Sequence, residues 1–435
     1  MTELPPGHKR EARERLLHDL CTTPAAGRRR FLAGAASALV AASAGESSAS
    51  ASTAGVDATS LRITDLKTTI LQINQQDWTT LVEVRTNQGL TGLGQTTFRA
   101  TPKVLYSILE NVLKPVIIGH SPFEYERLWS DMFLNNLKYG TNGALLLAIS
   151  AIDFALWDLM GKAVNLPVYR LLGGKYRDKV QVYASRSERR TENDDPKAIA
   201  QRLVEDVVPA GFHALKAHTH PQALTTQRGY DADMDTDQTV AEIAEIRRLT
   251  GPAFKIMVDV NNAYTPQQAI KVGRKLQELD AFWIEEPVEL FDLQGLARVA
   301  DALDVRVAAG EQQFNRWEFY RLITEGHVDI IQPNASICGG ITEIRKIAAV
   351  ASLFETAIAS HNTLNGIPTT AALHFWVSTQ NVRYPQEYDF STTRTDFGAR
   401  IVKHPVVAKD GYLTPPEGPG LGVELDDREV AKLAV

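Results

Sequence analysis

Three short apolar runs, FKIMVDVNN, AFWIEEP and VRVAAGEQ, lie between Phe254 and Glu311, and each ends on an acidic residue. Continuous Val, Ile, Phe and Trp over such a length predicts parallel strands buried on both faces, each carrying a carboxylate to its C-terminal edge. Upstream, from Leu61, the pattern is different. LRITDLKTTILQI and TTLVEVRTNQGLTGLGQTT alternate apolar and polar positions, which predicts antiparallel strands with Asn87-Gln88-Gly89 as the hairpin turn. Helical periodicity then predicts helices over Val104–Val116, Glu124–Asn135 and Ala144–Val164. The last carries Ile149, Ile152, Leu156, Leu159 and Met160 on one side. Strands first and helices after predict a small α+β domain over residues 61–175.

Beyond Leu171-Leu172-Gly173-Gly174, strand and helix patterns alternate. Strands are predicted near Val180–Ala184, His213–His218, Phe254–Asp259, Ala281–Glu285, Val305–Gly310, Val328–Gln332, Thr356–Ser360 and Val382–Tyr388, with helices such as Thr239–Leu249 and Pro266–Leu279 between them. Eight such units over residues 176–400 point to an α/β barrel, with a doubly wound open sheet as the alternative. The tail, 401–435, has several Pro and Gly residues beyond Val407 and no clear period; it is expected to pack back on the first domain.

Composition places the chain among ordinary globular enzymes: 435 residues, 44% apolar and 23% charged. The net charge of −6 argues against nucleic acid as a partner and leaves a small molecule. Residues 1–60 fall outside the fold. Arg28-Arg29-Arg30-Phe31-Leu32 is followed by an Ala-rich apolar run to Ala42 and a Ser/Ala tract through Ala54, the pattern of a twin-arginine export signal with cleavage after Ala44 or Ala51. The run is too short for stable membrane insertion, and the reading is an exported, periplasmic or extracellular protein, with a cytoplasmic one as the alternative. Cys21 lies in the leader and leaves Cys338 alone in the mature chain, so no internal disulfide forms.

The candidate chemistry centres on the three strand-terminal acids. Asp259, Glu285 and Glu311 are spaced by 26 residues each time, close to the strand–helix period of a barrel of roughly 250 residues over eight units. Neighbouring strands would converge three carboxylates on one mouth, a donor set for a hard cation, most naturally Mg²⁺. On the strand before, Lys216 and His218 are two apart and share a face. A Lys buried beside a metal is expected to have its pKa lowered toward a usable range. After the acids, VDIIQPNASICGG places Asn334 just past a strand and AIASHNT places His361 just past the next, so their side chains are expected to meet. Glu387 in RYPQEYDF ends the eighth strand, where burial is expected to keep it protonated as a hydrogen-bond donor to substrate. Asn261, Arg99 and Tyr139 are candidates for substrate contacts, the last two from loops of the first domain.

The segment IDFALWDLMGKAVNLPVYRLLGG, the three spaced acids, the turn PNASICGGIT and the histidine of ASHN together resemble the mandelate racemase subgroup of the enolase superfamily, from about Leu61 to the C-terminus. The resemblance implies an N-terminal α+β capping domain over a modified TIM barrel of (β/α)7β type. It implies Mg²⁺ on Asp259, Glu285 and Glu311, a Lys-x-Lys motif on the second barrel strand, a His–Asp dyad, an acid on the eighth strand, and a homo-oligomer, octamers being frequent in the family. Two positions depart from it: the second strand reads Lys216-Ala217-His218, and the dyad position holds Asn334. Both catalytic faces are altered. Abstraction of a proton α to a carboxylate is the shared chemistry, and dehydration of a sugar acid to a 2-keto-3-deoxy acid is the expected reaction. In it, with syn or anti loss of water, Lys216 or His218 removes the C2 proton and His361 protonates the departing 3-hydroxyl, or the roles are exchanged. A racemase or epimerase using His218 and His361 on opposite faces, and a sugar-acid-binding protein without catalysis, are the alternatives.

Overall fold

The computed structural model describes residues 55–74, 77–97, 102–186, 195–219, 236–390 and 396–435. The twin-arginine segment and Arg99 lie outside them. Strands β1 (Ile63–Gln72), β2 (Trp78–Thr86) and β3 (Thr91–Thr96) form an antiparallel meander, with Asn87 to Leu90 as the β2–β3 turn. Helix α1 spans 102–117, with a π-type stretch over Ile108–Leu113, and is followed by α2 (Tyr125–Leu134) and α3 (Ala144–Ala163).

Helix α3 is the spine between the two parts of the fold. The sequence pattern suggested one apolar side; instead its residues from Leu145 to Gly161 are buried all round. It is long and apolar enough to cross a membrane by composition, yet it lies inside the fold. One side presses on β3 so closely that a Cβ at Gly92 or Gly94 would lie 2.1 Å or 1.9 Å from the Ala155 or Ala151 carbonyl oxygen. The other side meets the helix that starts at Gly340: Ser150 Oγ accepts from Gly339 N at 2.9 Å, Asp153 Oδ2 accepts from Thr342 N at 3.0 Å, and Trp157 Nε1 donates to Thr342 Oγ1 at 3.0 Å.

Eight parallel strands follow: β4 (Val180–Arg186), β5 (Ala214–His218), β6 (Lys255–Asp259), β7 (Trp283–Glu285), β8 (Arg306–Ala309), β9 (Ile330–Ile331), β10 (Ala357–Ile358) and β11 (Gln386–Asp389). Helices α4 (Pro196–Val207), α5 (Asp237–Thr250), α6 (Pro266–Glu278), α7 (Leu293–Ala302), α8 (Arg316–Gly326), α9 (Gly340–Leu353) and α10 (Ile367–Ser378) alternate with them, which is the (β/α)7β order. Strands pair with their sequence neighbours from β4 through β10, and β11 pairs with β4. At the seam between β10 and β11, the Gln386 amide accepts from Ser360 N at 2.8 Å and donates to Ile358 O at 3.1 Å, closing the ring. Several of the helices begin on side-chain caps, Asp195, Thr265, Asp292 and Asn315, which satisfy first-turn N–H groups and stabilise each helix by about 1 kcal/mol.

The tail contacts both parts rather than the capping domain alone. Strand β12 (Tyr412–Leu413) pairs antiparallel with β4, Leu421 N donates to Asp158 Oδ1 at 2.8 Å, and Val435 N donates to Ile70 O at 3.1 Å. Its one helix, α11 (Asp427–Leu433), has two turns, too short to show a period in the sequence.

Candidate active site

Alternation along the barrel strands builds the site. Tyr183, Ala214, Met257, Trp283, Ala308, Ile330 and Ala359 form an apolar layer inside the ring. Side chains two residues on share the same face, and those positions hold Ser185, Lys216, Asp259, Glu285, Gly310, Gln332 and His361. One period of two thus turns an oily layer into a polar one at the C-terminal mouth, where barrel chemistry resides. The exception is Gly310, with φ at 127°, where a Cβ would meet Phe319 Cε1 at 2.8 Å; Glu311 is turned into the layer in its place.

Oxygens of Asp259, Glu285 and Glu311 lie within 4.8 Å of one another. Lys216, fully buried, reaches Glu285 Oε1 at 2.5 Å, Glu387 Oε1 at 2.9 Å and Asp259 Oδ2 at 3.3 Å. Burial alone would pull the Lys216 ammonium down, but Glu285 and Glu387 outweigh it and hold its pKa well above the ordinary value. This corrects the expectation of a lowered lysine: desolvation was counted, the surrounding carboxylates were not. Glu387 is corrected the same way. Burial pushes its carboxyl up, yet Lys216 and then His361 overcome that and hold it well below the usual range, so it stands ionised rather than protonated. Glu311 is raised by burial and by the charge of Asp259.

This donor set fits a divalent cation. It is all oxygen, it converges, and Asp259 Oδ2 is buried without an aligned hydrogen bond, although Lys216 and His218 Nδ1 (3.1 Å) are close. Buried like charges with so few cationic partners call for a compensating ion. Asp259, Glu285 and Glu311 are the residues that would hold it, and a hard cation such as Mg²⁺ matches them. Glu286, next to Glu285, is instead engaged by Asn262 Nδ2 at 2.7 Å. The backbone there is strained, with Asn261, Asn262 and Glu286 all at positive φ. Asn261 N donates to Asp259 Oδ1 at 2.9 Å, which places Asn261 at the edge of the cluster with its side-chain oxygen buried and unpartnered among the described residues.

The flanking residues divide into two arms. On one, His218 Nε2 lies 3.2 Å from Ser185 Oγ. On the other, Asn334 Nδ2 lies 2.8 Å from His361 Nδ1, the meeting the sequence predicted, while His361 Nε2 is 3.6 Å from Glu311 Oε2 and 3.8 Å from Glu387 Oε2. Burial lowers the His361 pKa. Tyr139 differs from the buried residues of this cluster: it is 73% exposed, on the turn Leu137–Tyr139.

Sequence reasoning missed Ser185, Trp283 and Gln332. Trp283 Nε1 donates to Glu285 Oε2 at 2.9 Å, and Gln332 is wholly buried with neither amide atom hydrogen-bonded among the described residues. All three follow from the period of two read backward or across from the acids.

Residues 199–430 match the family model for the enolase C-terminal domain-like fold, and residues 53–173 match the N-terminal domain of the mandelate racemase/muconate lactonizing enzymes. The chain belongs to that family. Within it, the chain is 32% identical to D-galactarolactone cycloisomerase from Agrobacterium fabrum over 80% of its length and 88% of the relative. It is also 32% identical to D-galactonate dehydratase from Ralstonia pickettii, again over 80% and 88%. A mandelate racemase/muconate lactonizing protein from Paracoccus denitrificans, solved in complex with magnesium, superposes with a TM-score of 0.78 at 29% identity, covering 86% of this chain and 97% of that one. Family membership brings the mandelate racemase subgroup of the enolase superfamily and its capped, modified TIM barrel.

Proposed function

We propose that this enzyme is a hydro-lyase that removes water from a sugar acid to give a 2-keto-3-deoxy acid, with Mg²⁺ on Asp259, Glu285 and Glu311. The observation that carries the reading is the pair of unlike arms flanking one carboxylate cluster: Lys216 with His218 on one, His361 with Asn334 on the other. The dehydratase named among the relatives supports it.

The chemistry a divalent cation supplies at this donor set is charge neutralisation beside the substrate carboxylate, which brings a weakly acidic α-proton within reach of a nitrogen base. The chain does the rest. His218 supplies the nitrogen on the side where the C2 proton leaves, with the Lys216 ammonium beside it. Glu387 bridges the arms, one oxygen toward Lys216 and the other toward His361, and so sets their separation. His361 faces the departing 3-hydroxyl. Asn261 sits where a 2-hydroxyl beside the cluster would be met.

The test is a screen of the purified chain with Mg²⁺ against aldonic, uronic and aldaric acids, read by 2-keto acid formation. Turnover of one class is the expected result. Deuterium uptake at C2 on some acids with no 2-keto product on any would overturn dehydration in favour of epimerisation.

A further inference from the structure

Asn334 is 3% exposed, and its side-chain amide has a neighbour at each end. Ser336 N lies 2.8 Å from Asn334 Oδ1, and His361 Nδ1 lies 2.8 Å from Asn334 Nδ2. A backbone N–H only donates, so the atom facing Ser336 must be the amide oxygen. The atom facing His361 is then the NH₂, which also only donates. His361 Nδ1 is therefore the acceptor, and the ring carries its hydrogen on Nε2. That nitrogen is the one turned toward Glu311 and Glu387. An aspartate at 334 would act in the opposite sense, drawing the hydrogen to Nδ1 and leaving a lone pair on Nε2.

We propose that Asn334 is a positioning residue that locks His361 in the Nε2–H tautomer, which makes His361 a hydrogen-bond donor to the substrate and removes it as a base. The tautomer stands on the hydrogen bonds alone; its consequence for the reaction rests on the dehydratase reading. The proton on C2 passes to the Lys216–His218 arm, and its bonding pair forms the C2–C3 double bond as the C3–O bond breaks and its electrons leave on oxygen. The same arm returns that proton to the departing oxygen, so water leaves and the enol remains. His361 holds the oxygen by its Nε2–H and neither gains nor loses a proton. The enol then gives up its hydroxyl proton and takes one from solvent at C3, which yields the 2-keto-3-deoxy acid.

The experiment is long-range ¹H–¹⁵N correlation on the full chain labelled in histidine, with H361Q to identify the His361 signals. The expected spectrum shows Nε2 protonated and Nδ1 bare, with the pattern inverted in N334D. A parent His361 carrying its hydrogen on Nδ1, or on both nitrogens, overturns the proposal whether or not any acid turns over. On a dehydrated acid, N334D is expected to lose at least about tenfold in kcat, as positioning residues commonly do, and to gain C2 deuterium uptake from the His361 face. Unchanged kcat without new exchange overturns the catalytic half. If the parent dehydrates no acid sugar, the dehydratase reading fails, and the parent spectrum still decides the tautomer.

Discussion

Trp283 donates its indole N–H to Oε2 of Glu285 across 2.9 Å, and both side chains are shut off from solvent. Glu285 Oε1 meets Lys216, so the indole is what fixes the second oxygen of a carboxylate proposed to hold the cation. Partners of this kind, one step behind a metal ligand, commonly contribute about 10- to 100-fold to affinity. W283F removes the donor and keeps most of the ring. We expect Mg²⁺ or Mn²⁺ binding by calorimetry to weaken by about that factor; unchanged affinity would show that Glu285 is held by its strand alone.

Glu311 yields a prediction about metal removal. Its carboxyl is pushed up by burial and by Asp259, which means that ionising it inside the metal-free cluster is costly. Mg²⁺ at about 100 times its dissociation constant should stabilise the parent by roughly 2.7 kcal/mol, seen as a rise in the unfolding midpoint that chelator abolishes. E311Q should lose that rise, and in chelator it should be at least as stable as the parent, because one of the repelling charges is gone. A variant clearly less stable than the parent in chelator would mean that Glu311 supports the fold rather than burdening it.

The strands that carry the three acids were legible because two local signals coincide there. A buried parallel strand reads as an unbroken apolar run, and its last residue reads as a charge, so Asp259, Glu285 and Glu311 declare both the element and its chemical end. Asn334 and His361 were placed together by the same logic applied to neighbouring strands, and they meet at 2.8 Å. What the sequence hid depends on groups far apart in the chain. The charge states of Lys216 and Glu387 are decided against burial by partners far off in the chain, Glu285 and Glu387 for the lysine and Lys216 and His361 for the glutamate, whereas position on a strand conveys burial alone. Helix α3 appeared one-sided because Ile149, Ile152, Leu156, Leu159 and Met160 recur at helical spacing, but its polar residues Ser150, Asp153 and Asp158 are buried too and accept from backbone N–H groups.

Asp158 is the clearest of these. Its Oδ2 accepts from Leu93 N of β3 at 3.0 Å and from Lys162 Nζ at 2.6 Å, and its Oδ1 accepts from Leu421 N of the tail at 2.8 Å. One wholly buried carboxylate therefore ties the capping sheet, α3 and the C-terminal segment. Removing it strands two backbone donors and part of an ion pair, a loss of about 3–5 kcal/mol. D158A should lower stability by that order in urea unfolding and speed proteolysis within residues 401–435. A loss below about 1 kcal/mol, the usual worth of a single hydrogen bond, would sink the idea of a shared anchor.

His374 and Asp153 should shape the pH dependence of stability in opposite senses. His374 is buried, accepts from Tyr169 N at 3.3 Å and donates to Leu421 O at 3.0 Å, and burial lowers its pKa from 6.5 to about 4. In that window the unfolded chain binds a proton that the folded chain refuses, so stability falls as pH drops from 6.5 toward 4. Asp153 is raised by burial from 3.8 to about 7. Here the folded chain holds a proton that the unfolded chain has lost, so stability falls as pH rises from 3.8 toward 7. Between pH 4 and 6.5 the two slopes cancel, each being about 1.4 kcal/mol per pH unit. Removing either should expose the other. Relative to the parent, D153N should gain stability progressively from pH 4 to 7, by about 4 kcal/mol in all, and H374N should gain it progressively as pH falls from 6.5 to 4, by about 3 kcal/mol. Urea unfolding at half-unit steps of pH, taken as variant minus parent, isolates each residue from the other titrating groups. A difference that stays flat with pH in either variant would show that the residue keeps its ordinary pKa in the folded chain.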